Sequence, residues 1–343
     1  MLVLAKSETE KNTHLVRTAE LASVEGLKNG RFTSIPQTAF LGKYKAVFDL
    51  STSVPTDAIK TQIEKNSIQL GTHFEVQFGL KTGDDSKFLT HKAISPDHKK
   101  LLRGENVGRY VSKFAGEYVW YVPDKMTAHR HTARPGSRER FEQPKVLIRD
   151  TGNGLMGTYD DASYYVKDVL IVSLPSKDVP SLKATLGLLN SSTLRFYYET
   201  TFPTLHVQRN ELASLPLSKQ ALNDGTKMLV VLVDIILFLN RCFTNPSADQ
   251  SKRDPLMLAY FEQILNGLVY ELYFPEEVHG AGLHLFDAVA KAKLPAIEAI
   301  PEENRLPRLR TLFEALYDGL HPLRIALDKL QTLDTVRIIE GKA

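Results

Sequence analysis

The chain has 343 residues, of which 43% are hydrophobic and 24% charged, with a formal net charge of +3. That length suits two or three packed units of ~100–200 residues, and the balance excludes a disordered or fibrous chain. The net charge is too small to announce a nucleic-acid partner, so the distribution of charge has to carry that question.

The first fifty residues read as short strands. MLVLA (residues 1–5) and HLVRTAEL (residues 14–21) flank an eight-residue polar segment and are expected to pair as a hairpin, with KAVFDL (residues 45–50) as a further strand. Two strands alone are marginal in water and need a sheet to join. Met1 to Ala5 is too short for a signal-peptide core of ~7–15 residues. Thr56 to Ser67 reads as a helix, with Asp57 near its start and Ile59, Ile63 and Ile68 on one face.

From Thr72 to Leu217 the runs FEVQF, EYVWYV, KVLI, SYYV and DVLIVSL alternate with Gly- and Asp-bearing turns, which predicts a β-rich unit. One helix is expected inside it, over Ser181 to Tyr198. Beyond Asn223 the apolar spacing turns helical, over Lys227 to Phe243, Leu256 to Phe274, and Leu306 to Leu333 with a break near His321 and Pro322. Asn245-Pro246-Ser247 and Leu294 to Asn304 read as connectors. The longest apolar run, Met228 to Leu239, contains Asp234 and falls short of the ~20 residues that span a bilayer. A buried helix and no membrane partner are expected. Cys242 is the lone cysteine, which excludes a disulfide framework and fits a reducing, cytoplasmic setting. The fold class is therefore α+β, divided as 1–68, a β-rich unit over 69–222, and a helical unit over 223–343.

The strongest compositional signal is Lys125 to Arg149. Lys125, Arg130, Arg134, Arg138, Arg140, Lys145 and Arg149 stand there against Glu139 and Glu142, with His129 and His131 among them. Arginine forks suit phosphate oxygens and pair bidentately with guanine in a major groove. Pro135-Gly136-Ser137 in its middle predicts a mobile loop. A solvated basic loop without a ligand is the competing reading.

Catalytic motifs are missing. Gly79 to Phe88 lacks the Gly-Lys-Ser/Thr ending of a nucleotide-binding loop and reads as a turn. Asp150-Thr151-Gly152 resembles an aspartic-protease triplet but would need a second aspartate to share its proton, so a strand-end turn is the simpler account. No HExxH helix or Cys/His array marks a metal site. No glycine-rich cofactor loop or Asn/Asp-Pro-Pro-Tyr/Phe loop marks an adenine methyltransferase. Neither a catalytic residue nor a metal ligand is expected, and the chain is expected to be non-catalytic alone.

Six segments occur in the order of a known family: FGLKTGDDSKFL, LLRGENVGRY, EYVWYV, RERFEQPKVLIRD, LLNSSTLRFYY and HVQRNELASLPL. Together they resemble the TaqI-like specificity domain of type II restriction-modification enzymes and N6-adenine methyltransferases. FEQILNGLVYELYFPEEV (residues 261–278) is similar to a helical element that follows such domains in fused enzymes. The N-terminal segment resembles the last hairpin of a methyltransferase fold, which implies that a catalytic part precedes Met1. The resemblance implies sequence-specific recognition of double-stranded DNA alongside a methyltransferase or nuclease domain or subunit. S-adenosylmethionine and magnesium would belong to that part, and no cofactor is expected in this chain. The residues expected to touch DNA are Lys81, Thr82, Lys87, Arg103, Arg109, Tyr110, Arg130, His131, Arg134, Arg138, Arg195, Gln208, Arg209 and Asn210. A structural role is equally open for Arg140, Lys145 and Arg149. Phe141, Pro144, Tyr197 and Leu215 are expected in the core, and Trp120 on a packed strand face. A helical protein-interaction module, or an enzyme with an unrecognised hydrolase or nuclease site, are the alternatives.

Overall fold

A computed structural model describes residues 14–18, 32–37, 54–152, 154–174, 181–202, 206–222, 226–244 and 251–342. Near the N-terminus, β1 (Leu15–Thr18) pairs antiparallel with β2 (Thr33–Pro36), placing Val16 opposite Ile35. Residues 15–18, expected to pair with MLVLA, pair along one edge with β2, whose Ile35 is buried. MLVLA and KAVFDL themselves lie outside the described residues, as does Asn245-Pro246-Ser247.

Helix α1 (Val54–Lys65) buries Ile59 and Ile63 and runs into β3 (Ser67–Gln69) and β4 (Glu75–Phe78). Short elements follow: α2 (Asp85–Phe88), β5 (Leu89–Thr90), β6 (His98–Leu102), β7 (Val107–Gly108), β8 (Val111–Ser112) and β9 (Tyr118–Trp120). After α3 (Pro123–His129) and α4 (Arg138–Glu142) come β10 (Lys145–Arg149), β11 (Gly157–Asp160), β12 (Tyr165–Val166) and β13 (Val169–Ser173).

The central sheet is antiparallel, in the order β11-β10-β13-β4. Its two inner strands are apolar almost throughout because both faces are covered. Side chains alternate between faces along a strand. Val146, Ile148, Leu170 and Val172 therefore enter a large core shared with the helices, while Leu147, Val169 and Ile171 enter a smaller one. That smaller core, with Leu80, Phe88, Tyr121, Met126 and Phe141, includes residues of the second sheet, ordered β12-β6-β9-β5. Here β12 runs parallel to β6 and the other pairs are antiparallel. Trp120 stands on that sheet, stacked on His98 and tilted against Phe88.

Helices α5 (Leu182–Leu189) and α6 (Ser192–Thr201) occupy the stretch where one helix is expected. Ser191 divides them. Its hydroxyl accepts from the Leu194 N–H at 3.2 Å and donates to the Leu188 carbonyl at 2.6 Å, so an N-cap interrupts the apolar periodicity. Asn190 locks the junction to β11, exchanging two 2.9 Å hydrogen bonds with the Gly157 backbone. Next come α7 (Arg209–Ala213), β14 (Pro216–Ser218), which pairs with β3, and α8 (Lys219–Leu222).

The C-terminal part holds α9 (Thr226–Thr244), α10 (Asp254–Tyr273), α11 (Pro275–Gly280), α12 (Leu285–Ala292), α13 (Glu302–Leu316), α14 (Pro322–Leu330) and α15 (Asp334–Ile339). The break expected near His321 and Pro322 falls between α13 and α14. Along α10, every residue from Gly267 to Tyr273 is buried, so neighbours enclose its C-terminal half on all sides. A Cβ on Gly187 of α5 would stand 3.0 Å from Val233 of α9, which is how closely those two helices approach. No described helix is long and apolar enough to cross a membrane.

Phe141, Tyr197 and Leu215 lie in the core. Pro144, expected with them, is exposed in the turn between α4 and β10. Lys145 is fully buried, its Nζ 2.5 Å from both the Asp160 carboxylate and the Phe141 carbonyl.

Candidate nucleic-acid interface

The end of β4 opens onto a cleft of about 560 Å³. Gln77 to Lys81 form one wall, and Arg134, Arg140, Asp150, Asp168, Val169 and Arg209 complete the lining. Four cations thus face two carboxylates. Lys81, Arg134 and Arg209, nominated from distant parts of the sequence, meet here, and Arg140 joins them. None of the four has an ion-pair partner among the described residues. Phe78, the last residue of β4, is 53% exposed, although Phe74 just before that strand is buried. The core ends before the strand does.

Chain packing builds this wall. A Cβ on Gly79 would lie 2.3 Å from the Val166 carbonyl oxygen, so only glycine lets β4 pass β12. Gly83, at φ +80, lies where a Cβ would press on Arg130 and Ala133. Gly79 thus serves a backbone crossing and Gly83 a close approach to Arg130 and Ala133.

The basic segment over residues 130–138 is held in place, where a mobile loop is expected. Lys81 and Arg134 exchange backbone hydrogen bonds of 2.9 and 2.8 Å. The Arg130 guanidinium donates to the Gly83 carbonyl at 2.8 Å, and the Tyr121 hydroxyl donates to Gly136 at 2.7 Å. Arg134 turns its own guanidinium onto the His131 and Ala133 carbonyls. Ser137 caps α4 by accepting from the Arg140 N–H. Proline and glycine in the sequence signal a turn, and long-range bonds decide whether that turn moves.

The remaining nominated residues fall into two sets. Lys87, Arg130, His131, Arg138, Arg195, Gln208 and Asn210 are exposed. Of these, Lys87 contacts His129, whose ring also meets Asp84 at 3.0 Å. Ser86 and then His129 hold the Asp84 carboxyl down at about 2. Arg138 stands 3.6 Å from Asp97, and Arg195 pairs with Glu199 one turn along α6. The second set is engaged inside the fold. Thr82 is buried and bonded to Asp85 at 2.5 Å. Arg103 grips Glu117 with two bonds of 2.7 and 2.8 Å. Arg109 pairs with Glu262 of α10 at 2.8 Å. Tyr110 is fully buried at φ +58, and desolvation raises its phenol well above the usual range.

The stretch from β6 to β14 matches a family model over residues 99–217. That segment is similar to the TaqI-like C-terminal specificity domain. Arg134, Arg140, Asp150, Asp168 and Arg209 lie within the matched stretch, while Gln77 to Lys81 reach the cleft from before it. The solved structure of the type IIL restriction-modification enzyme MmeI in complex with DNA aligns over 88% of this chain and 41% of its own, at 12% identity and a TM-score of 0.37. This chain therefore spans less than half of that enzyme's length. No curated protein matches the chain.

The cleft residues missed by sequence reasoning are Gln77, Phe78, Asp150 and Asp168. Phe78 carried a signal only in retrospect, as an apolar residue directly before the Gly79 crossing. The two aspartates look like ordinary strand-end turn residues.

Proposed function

We propose that this chain recognises double-stranded DNA by sequence, as the specificity part of a restriction-modification system. The observation that carries the reading is the convergence of Lys81, Arg134, Arg140 and Arg209, none of them ion-paired among the described residues, on the specificity-domain cleft. Cations without carboxylate partners are free to neutralise phosphates, and a pinned segment holds them at fixed spacing. Lys87, Arg130, His131, Arg138, Arg195, Gln208 and Asn210 extend the contact surface in this reading. Thr82, Arg103, Arg109 and Tyr110 instead position the loops around it. Phe78 offers an apolar surface of the kind that meets a thymine methyl.

The division of labour extends to a methyltransferase or nuclease, in the same polypeptide or as a separate subunit, which would supply the chemistry. S-adenosylmethionine and magnesium fit this chain poorly. The space beside the glycines after β4 is taken by the Val166 backbone at Gly79 and by the Arg130 and Ala133 side chains at Gly83. The grouped side chains with ligand character among the described residues include two imidazoles, a poor match to the all-oxygen shell of magnesium.

Selection of the purified chain on random-sequence duplexes, followed by sequencing, tests the reading. One enriched motif is expected, with log affinity falling by about 0.9 for each tenfold rise in salt per phosphate contacted. Arg134→Ala and Arg209→Ala should each weaken binding by about 1–3 kcal/mol if they touch base edges. If they touch phosphate, they should instead flatten the salt slope by about one unit. Binding without an enriched sequence, or none at ~50 mM salt, overturns it.

A further inference from the structure

Far along the chain from the cleft, α10, α11 and α12 bring together Glu271, His279 and His284. One ligand-capable atom from each lies within 4.8 Å of the others. Glu271 is 8% exposed, a carboxylate inside the helical core. Its Oε2 accepts the Phe286 backbone N–H at 2.9 Å, which leaves Oε1 facing His279 Nε2 at 2.8 Å. The two imidazoles stack at 4.8 Å between centroids, 28° from parallel.

The turn between the histidines is built to return the chain on itself. Ala281 N–H bonds the Glu277 carbonyl, Leu283 N–H bonds Val278, and Gly282 sits at φ +71, where a side chain would be strained. Val278, Leu283 and Leu285 are buried on either side, so the backbone carrying each imidazole is anchored while the rings reach solvent. A Glu–His hydrogen bond alone would account for His279. It leaves His284 with its ring laid on the first imidazole and no hydrogen-bond partner among the described residues.

We propose that Glu271, His279 and His284 bind a divalent transition-metal cation of the zinc type. Two imidazoles and one carboxylate form a borderline N/O donor set that favours zinc, with copper and nickel as competitors and magnesium and calcium excluded by the nitrogens. Tetrahedral zinc with ligands at about 2.0–2.2 Å separates ligand atoms by roughly 3.3 Å. To reach that spacing His279 Nε2 backs off from 2.8 Å and the wider separations, 4.8 Å at most, draw in, both by turning exposed rings about a buried carboxylate. The Phe286 N–H supplies the outer bond that orients a metal-binding carboxylate. Three protein ligands leave one position for water or an added ligand, and the bound cation ties the end of α10 to α11 and α12.

The test uses the full, untagged chain stripped with chelator, titrated with zinc chloride by calorimetry and with cobalt chloride by visible absorption. One equivalent per chain is expected, with a cobalt band of low-symmetry, four- or five-coordinate intensity and a rise in Tm on zinc addition. His284→Ala changes an exposed side chain and should keep the fold, as circular dichroism will show. It should weaken zinc binding by at least about tenfold, the smallest loss common even for outer-shell changes. His279→Ala should do the same, and in both variants zinc should no longer raise Tm. Absence of a one-equivalent event in the parent chain overturns the proposal, as does stoichiometric binding unaffected by both variants.

Discussion

Lys145 and Asp160 face each other at 2.5 Å with 0% and 1% of their side chains exposed. Burial drives the Lys145 ammonium below its usual range, and Asp160 opposes that shift. Asp160 also accepts the backbone N–H groups of Ala162 and Tyr164, so its charge stays compensated by a full set of donors. Removing one partner of such a pair costs about 3–5 kcal/mol, because the other charge is left buried and alone. Lys145→Ala is therefore expected to lower unfolding free energy by about that amount in urea titration. A Lys145→Met, Asp160→Leu double variant should recover part of it, since both charges leave together while the Ala162 and Tyr164 N–H groups lose their acceptor. Equal loss in the single and double variants would assign the effect to packing. Seen in the sequence alone, Lys145 looked like one more member of a basic run, because burial does not register in charge spacing.

Among the secondary-structure elements, the division between α5 and α6 was hidden by an apolar pattern that continues through it. Ser191 is fully buried and its hydroxyl is used twice, toward Leu188 and toward Leu194. Losing an N-cap hydroxyl costs about 1 kcal/mol, up to about 2 in a buried setting. Ser191→Ala should fall in that range by chemical denaturation, while Ser191→Thr should retain most of the cap. The segment over residues 130–138 illustrates the opposite case. Its Pro-Gly-Ser centre was legible as a turn, but the bonds from Lys81, Gly83 and Tyr121 that immobilise it come from distant stretches of chain. Amide hydrogen exchange is expected to show protection at the Arg134 N–H, which donates to the Lys81 carbonyl at 2.8 Å. Exchange there at the rate of an open loop would contradict the pinned arrangement.

Across the whole molecule, one hydrophobic cluster joins the central sheet to the C-terminal helices. Val146 and Leu170 of the sheet share it with Leu188 of α5, Leu232 of α9, Leu265 of α10 and Leu327 of α14. The Arg109–Glu262 pair crosses the same boundary, and burial raises the Glu262 carboxyl against the pull of Arg109. A shared core couples the stabilities of its two sides. Full-chain unfolding is therefore expected to show coincident transitions by fluorescence and circular dichroism over residues on both sides of position 222. A fragment ending at residue 222 should bind a hydrophobic dye and melt without cooperativity. Two separated transitions in the full chain would show that the units are independent.

The sequence by itself determined the elements whose signals are local. Strand runs such as KVLI and DVLIVSL, the long C-terminal helices and the break at Pro322 follow from side-chain periodicity and backbone chemistry within a few residues. The ordered motifs carried the resemblance to the specificity domain for the same reason, since each is a contiguous string. Tertiary structure alone decided which of the cations share a cleft, which are engaged within the fold, and that Glu271, His279 and His284 meet. Those outcomes depend on long-range crossings such as Gly79 against Val166 and on burial. Both are set by packing between segments far apart in the chain, where spacing along the sequence carries no distance information.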